Sequence, residues 1–382
     1  PYTYGNPEGT VGELHTNWMT RPSRLDCGGC HANIDWATGE GHAGGPQDSD
    51  DKCGICHAPD SGEEFDTSVK GAHTVVLAST ALAGTLVEIK EVTNTGPGQS
   101  PTVVFSLMSK YGPLDPAALD RLLFVISGPN EDFTFYAQEN VLGGLTAVEG
   151  GWSYTFNTKI PMDAEGSYSV SFEGRVTTEV NGENERDSAE NAVVAVAVTD
   201  DEPMARRMIV DDAKCEACHS NLSLHGDNRK NATDYCQTCH MADATDVRRR
   251  PEDTLPESIH FKYMVHKIHR GAELENLPYI VYGYGNTPHD YSDVHFPGDL
   301  RDCESCQVED SYGVPLPEGA LPTLDPAAPM PLMGPITATC LSCHDGSSSV
   351  SHALAKTSEF GESCETCHGD GKSASVDRVH AR

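Results

Sequence analysis

The chain has 382 residues, of which only 37% are hydrophobic, and a formal net charge of −32 at pH 7. Phosphate binding needs clustered Lys and Arg, so this charge argues against nucleic acid as a partner. No run of 18 or more apolar residues occurs, so no transmembrane helix is predicted. The apolar content is low for several side-chain cores, and we expect another group to fill part of the interior.

The cysteines divide the chain into three parts. All 14 form CxxC pairs, two before residue 60 and five after residue 214. Six of the seven pairs are followed directly by His, which is the signature of covalent c-type haem attachment. A zinc ribbon also uses paired CxxC but has no reason to place His after the second Cys six times in seven. We therefore predict haem c as the cofactor, with seven haems.

Each haem motif assigns three residues to its haem. Two cysteines three positions apart can reach both vinyl groups, and the adjacent His becomes a ligand of the iron. The predicted attachment residues are Cys27, Cys30, Cys53, Cys56, Cys215, Cys218, Cys236, Cys239, Cys303, Cys306, Cys340, Cys343, Cys364 and Cys367. The predicted motif ligands are His31, His57, His219, His240, His344 and His368.

Three domains follow in chain order. Residues 1–73 are predicted to be an N-terminal dihaem segment. Residues 74–200 contain β-branched and aromatic runs, several alternating with period two and all bounded by turn residues, which predicts an antiparallel β sandwich or Greek-key barrel. Residues 201–382 are predicted to be a C-terminal pentahaem domain. Both haem parts are rich in Gly, Pro, Asp and Ser, so we expect a haem-packed, loop-rich, mainly α/coil fold with a short helix between Pro256 and His269.

An iron that only carries electrons needs a sixth ligand. Eleven histidines lie outside the motifs, more than six bis-His haems require. The favoured sixth ligands are His42, His73, His225, His266, His269, His352 and His380, whereas His15, His260 and His295 fit a surface or propionate-binding role equally well. Spacing does not assign any of them to a particular iron.

Part of the histidine order is repeated. The series His31, His42, His57, His73 returns as His344, His352, His368, His380, each with a cysteine pair before its first and third members. We therefore expect the first two haems to correspond to the last two.

The seventh cysteine pair departs from the others because Cys306 is followed by Gln307. Gln is a poor ligand for haem iron. Three interpretations stay open: a haem ligated by a nearby histidine such as His289 or His295, a haem with an open or weakly held axial position, or no haem.

From Ala205 onward the sequence resembles the pentahaem module of the OmcA/MtrC family of outer-membrane decahaem cytochromes. The resemblance lies in CEACHSNLSLHGDNRKNATDYCQTCH, ESIHFKYMVHKIHRG, YGNTPHDYSDVHFPGDLRDCESC and SCETCHGDG, and NWMTRPSRLDCGGCHANIDWATGEGHAGG resembles the end of the family's first haem domain. It implies β domains alternating with haem domains. It also implies that His289, in the segment like PHDYSDV, lies near the third C-terminal haem, which makes it a candidate ligand there. Only two motifs precede the β domain here, where the family has five.

We expect an electron carrier rather than a substrate-specific enzyme, with no catalytic residue assigned. Electrons would pass along bis-His haems to metal oxides, soluble shuttles or other multihaem cytochromes, in extracellular electron transfer and dissimilatory metal reduction. The alternative is a reductase of a small nitrogen or sulfur oxyanion at the Cys303/Cys306 haem. Because c-type haem is attached outside the cytoplasm and the chain starts at Pro1 without a signal peptide, we expect a mature or trimmed form at the outer cell surface, with the periplasm as the alternative. Haems near both ends would also suit a homopolymeric filament, or nanowire.

Overall fold

The computed structural model describes residues 17–219, 222–230, 233–308 and 311–381. These residues form two compact units. The first unit contains the described residues up to Ala83 together with Thr178–Glu185, and the second contains Gly84–Thr177 and the described residues from Arg186 onward. His15 lies outside the described residues. Among the described residues, no helix has the length and apolar character needed to cross a membrane.

The first unit is built from short helices joined by turns. Its helices are α1 (Asn17–Thr20), α2 (Arg24–Gly28), α3 (Cys53–Cys56) and α4 (Val69–Ala72), followed by a 3₁₀ turn at Val76–Ala78. The side chain of Ser23 caps α2 by accepting a hydrogen bond from the backbone N–H of Asp26, and Ser68 caps α4 in the same way through Gly71. Such caps satisfy backbone donors that a short helix cannot pair internally.

Ten strands follow, most of them in the second unit. They are β1 (Leu86–Thr93), β2 (Thr102–Ser109), β3 (Gly112–Pro113), β4 (Arg121–Gly128), β5 (Phe135–Asn140), β6 (Thr146–Val148), β7 (Gly151–Thr155), β8 (Ser167–Val180), β9 (Glu183–Ser188) and β10 (Val193–Ala197). One sheet has the order β1-β2-β7-β6, with β3 paired to β2, and the other has the order β10-β8-β4-β5, with β9 paired to β8. The strand pairs β1–β2, β2–β3, β2–β7, β6–β7, β4–β5, β4–β8 and β8–β10 are all antiparallel. This confirms the predicted antiparallel sheets.

The two sheets contribute to one hydrophobic core. Phe105 of β2 and Phe124 of β4 are fully buried, and their rings meet edge to face with centroids 4.9 Å apart. Phe172 of β8 packs against the same Phe124 ring. This geometry is favourable for aromatic pairs and adds to the burial of apolar area.

Strand β8 differs from the half-buried strand that its alternating sequence predicts. Every residue from Ser167 to Gly174 is buried, including the polar side chains of one face. The polar face is covered because Tyr235 packs against Val125 of the neighbouring strand and donates a hydrogen bond to Glu173. The alternation of apolar and polar residues shows which side chains share a face of the strand. It does not show whether the polar face is exposed to solvent or covered by another segment.

The rest of the second unit consists of short helices and two- or three-residue strand pairs. The helices are α5 (Asp212–His219), α6 (Thr233–Gln237), α7 (Phe261–Arg270), α8 (Pro335–Leu341), α9 (Ser347–Ala355), α10 (Glu365–His368) and α11 (Val376–Val379). The strands are β11 (Ser223–Leu224), β12 (Arg229–Lys230), β13 (Ile280–Tyr282), β14 (Pro288–Asp290), β15 (Thr323–Leu324), β16 (Leu332–Met333), β17 (Thr357–Ser358) and β18 (Gly361–Glu362). Helix α7 overlaps the helix predicted between Pro256 and His269.

Candidate haem sites

The cysteine motifs share one local backbone structure. In five of the CxxCH motifs, the backbone N–H of the histidine donates a hydrogen bond to the carbonyl of the first cysteine, over 2.8–3.1 Å: these are the motifs of His31, His57, His240, His344 and His368. The remaining CxxCH motif lies inside α5. All 14 cysteines are free of disulfide bonds. One tight turn thus brings two thiols and an imidazole together, as covalent haem attachment requires.

Each motif histidine faces one histidine from outside the motifs. The ring centroids of the six pairs are 5.9–6.2 Å apart: His31–His73, His42–His57, His219–His269, His225–His240, His344–His380 and His352–His368. All six histidines from outside the motifs are among the sixth ligands favoured from the sequence. The sequence did not assign any of them to a particular motif.

The pair separations fit a metal ion held between two imidazoles. With metal–nitrogen bonds of about 2 Å on each side, opposed ring centres lie about 6 Å apart. Direct ring stacking has no reason to reproduce this distance six times at interplanar angles from 36° to 90°. Together with the two thiols beside each pair, the residues fit a haem with histidine on both faces.

Hydrogen bonds at Nδ1 orient many of these rings. The Nδ1 of His57 donates to the Thr67 carbonyl at 2.9 Å, and the Nδ1 of His73 donates to the Val69 carbonyl at 2.6 Å. The same kind of bond to a backbone carbonyl occurs at His42, His240, His269, His368 and His380. A carbonyl can only accept, so Nδ1 carries the proton and Nε2 keeps its lone pair for a metal.

Burial favours the neutral imidazole at several histidines of the second unit. It lowers the pKa of His225 and that of His266 to about 4. It also lowers the pKa of His240, His269 and His344. The neutral form is the one that ligates a metal, so no proton has to be displaced at neutral pH.

The histidine repeat has the same pairing in both places. In the N-terminal segment the outer histidines His31 and His73 face each other, as do the inner ones, His42 and His57. At the C-terminus, the outer and inner pairs are His344–His380 and His352–His368. This nested arrangement agrees with the correspondence expected from the repeat.

The cysteine pairs of the second unit are neighbours in space. Besides burial, a cysteine of the next pair raises the thiol pKa along a series: Cys215 acts on Cys236, Cys306 on Cys215, Cys218 on Cys306, Cys303 on Cys343 and Cys364 on Cys340. The five pairs therefore form an unbroken series in which Cys303/Cys306 is the third member.

The seventh motif keeps the shared turn although it lacks histidine. The backbone N–H of Gln307 donates to the Cys303 carbonyl at 2.9 Å. The side-chain Nε2 of Gln307 lies 3.4 Å from Nε2 of His266, a residue of α7. Lys214 holds the turn in place by donating from Nζ to the carbonyls of Glu304 and Gln307 at 2.8 and 2.7 Å.

The other candidate histidines lie elsewhere. His289 is exposed in β14, opposite Val281, and is close enough to His225 for their charges to interact. His295 is exposed. His260 is buried, with its Nδ1 2.8 Å from the hydroxyl of Thr323. The residue facing Gln307 is thus His266, a favoured sixth ligand that the sequence did not connect with this motif.

Known proteins are similar to this chain in part of its sequence and in its fold. Residues 207–381 match the family described as outer membrane cytochrome MtrC/MtrF-like, domains II/IV. The crystal structure of MtrC from Shewanella baltica OS185 is similar in fold, with a TM-score of 0.62 and 17% sequence identity over 96% of this chain. The chain spans 63% of the length of that protein. No curated protein matches. Residues 207–381 are thus similar to domains II/IV of the MtrC/MtrF-like outer-membrane cytochromes.

Proposed function

We propose that the protein is a multihaem c-type cytochrome that carries electrons along seven covalently attached haems, six of them with histidine on both faces. The observation that carries the proposal is the set of six histidine pairs with centroids 5.9–6.2 Å apart, each beside a cysteine pair. Haem supplies one-electron chemistry, and the chain fixes the position, ligation and exposure of each haem.

The chain's own residues favour electron transfer over bond chemistry at the six pairs. In each pair at least one imidazole donates from Nδ1 to a backbone carbonyl, which holds that ring in place and leaves its Nε2 lone pair for a metal. A metal held on both faces by such ligands has no free position for a substrate. The contiguous series of cysteine pairs in the second unit would hold neighbouring haems close together, as electron hopping requires.

We also propose the path beyond the chain. The similarity of residues 207–381 to outer-membrane cytochromes supports a location at the outer cell surface, with metal oxides, soluble shuttles or other multihaem cytochromes as acceptors. The two sheets would form a sandwich, with an N-terminal dihaem segment, residues 1–73, before it in the chain and a pentahaem domain, residues 201–382, after it. Assembly into a filament stays a prediction from the sequence.

The haem count and ligation are tested on the holoprotein. We expect an intact mass with seven haems, and an electron paramagnetic resonance spectrum of the ferric protein dominated by low-spin iron. Replacing His352 with alanine should convert one low-spin haem per molecule to high spin. The matched control is His295→Ala, which removes an exposed histidine outside the pairs and should leave the spectrum unchanged. Equal effects of the two substitutions would refute the ligand assignment.

The electron-carrier role is tested by mixing the fully reduced holoprotein with ferric citrate, ferric oxide particles or a flavin. We expect every haem to be reoxidised, because the haems form connected series. Reoxidation of only a fraction of the haems by all three acceptors would contradict a continuous conduit within each unit.

A further inference from the structure

We propose that the haem attached to Cys303 and Cys306 is ligated by His266 alone, and that its opposite face, next to Gln307, binds small exogenous haem ligands such as carbon monoxide and cyanide. The inference rests on the proposed function in one respect, because it requires a haem at the seventh motif. It concerns ligation at that haem, which the electron-carrier role does not determine.

The first support is the position of Gln307. Its backbone N–H bonds to the carbonyl of the first cysteine, as the motif histidines do at five other sites. It is also anchored from outside the motif by Lys214 and by a β-bridge to Val210. The turn that attaches haem is therefore intact, and only the side chain that would ligate the iron differs.

The second support is the orientation of His266. Its Nδ1 lies 3.1 Å from the hydroxyl oxygen of Ser342, and this hydroxyl donates its own proton to the Thr339 carbonyl at 2.6 Å. The Ser342 oxygen must then accept from His266, so Nδ1 carries the proton. The Nε2 lone pair of His266 is left pointing toward Gln307, 3.4 Å away.

The third support is the chemistry of the amide. A glutamine side chain offers a neutral carbonyl oxygen and an NH₂ group, neither of which competes with imidazole for haem iron. The amide can instead donate a hydrogen bond to a small molecule bound at the iron, and hydrogen-bond donors on that face help to decide what binds. The other six cysteine pairs each have two opposed imidazoles, so among the described residues this is the one motif where the histidine faces a side chain that binds iron poorly and that an exogenous ligand can displace.

The test uses the holoprotein and carbon monoxide, with Gln307→His as the decisive variant. In the native protein we expect one high-spin ferric haem per molecule by electron paramagnetic resonance, and one carbon monoxide bound per seven ferrous haems. Gln307→His restores a complete CxxCH motif opposite His266. It should abolish the high-spin signal and reduce carbon monoxide binding at least tenfold, with the haem count unchanged.

Gln307→Leu is the matched control. It removes the amide but adds no ligand, so carbon monoxide binding should persist while the carbon–oxygen stretching frequency shifts because the hydrogen bond is lost. Seven haems by mass with only low-spin iron and no bound carbon monoxide would overturn this inference and leave the conduit intact. A mass with six haems would overturn both this inference and the seventh haem of the proposed function.

Discussion

Glu173 of β8 carries a buried negative charge, and its replacement by glutamine is expected to destabilise the second unit strongly. Its side chain is 0% exposed. Its carboxylate accepts hydrogen bonds from Arg121, Arg229 and Tyr235 at 2.6–2.8 Å. Glutamine keeps the shape but leaves two guanidinium groups without their counter-ion. Removing one partner of a buried ion pair costs about 3–5 kcal/mol.

Hydrogen exchange of the holoprotein, followed by mass spectrometry, measures this loss without assuming a two-state transition. Each 1.4 kcal/mol changes an equilibrium tenfold, so opening of the β8 amides should become at least about a hundredfold more frequent. Glu273→Gln is the control, because Glu273 pairs with Arg270 at 2.5 Å but is 60% exposed. Exposed pairs contribute about 1 kcal/mol or less.

The pH dependence gives a second check. Burial by itself would raise the pKa of Glu173, but the charge of Arg229 and the hydrogen bond from Tyr235 outweigh it and hold the pKa below its usual value. A carboxyl group with a lowered folded-state pKa contributes stability above its unfolded pKa and loses it as pH falls through the folded value. The difference between native protein and variant should therefore shrink below about pH 4. Equal protection of β8 in Glu173→Gln and native protein at pH 7 would refute this account.

Three further substitutions test other contacts of the second unit. Asp132→Asn leaves the buried Arg206 guanidinium without the carboxylate that lies 2.7 Å away. The loss of about 3–5 kcal/mol should lower the midpoint of thermal unfolding, and an unchanged midpoint would contradict this role of the pair. Lys214→Met removes two charged hydrogen bonds from the seventh motif, each worth about 1.5–3 kcal/mol. A peptide covering that motif should therefore exchange its amide hydrogens at least tenfold faster. An unchanged exchange rate would argue against the anchoring role of Lys214. Gly271→Ala places a side chain on a residue with a φ of +41° and should lower the free energy of unfolding by about 1–3 kcal/mol. The control is Gly143→Ala, where the added carbon meets open space, and the unfolding midpoint of Gly271→Ala should be the lower of the two.

The sequence predicted what local patterns determine. Strands such as β2 and β4 follow runs of β-branched and aromatic residues, and the motif histidines follow from cysteine spacing alone. The burial of Glu173 could not be predicted, because the residue that covers it, Tyr235, is 62 positions away in the chain. A polar residue on an alternating strand gives no sign of which face will be covered.

The histidine partners were also beyond the sequence. His289 is nearer to Gln307 in the chain and was favoured by the family resemblance, yet the ring that faces Gln307 belongs to His266, 41 positions earlier. Such pairings depend on how helices and loops from separate segments pack. The repeated order of the histidines is the one signal from which four of the pairs could have been inferred. That inference assumes that the first and fourth histidines of each series face each other, as do the second and third.

Helix α7 has a consequence for the robustness of the proposed electron path. It carries His266 and His269 three residues apart, which separates them by about 4.5 Å along the axis and places them on one side of the helix. One of these histidines faces Gln307, and the other faces His219. A single helical turn thus fixes the distance between two neighbouring sites. The loops around them can change in length and sequence during evolution without altering that interval, whereas one residue inserted into the turn would rotate one ligand by about 100° relative to the other and disconnect the path.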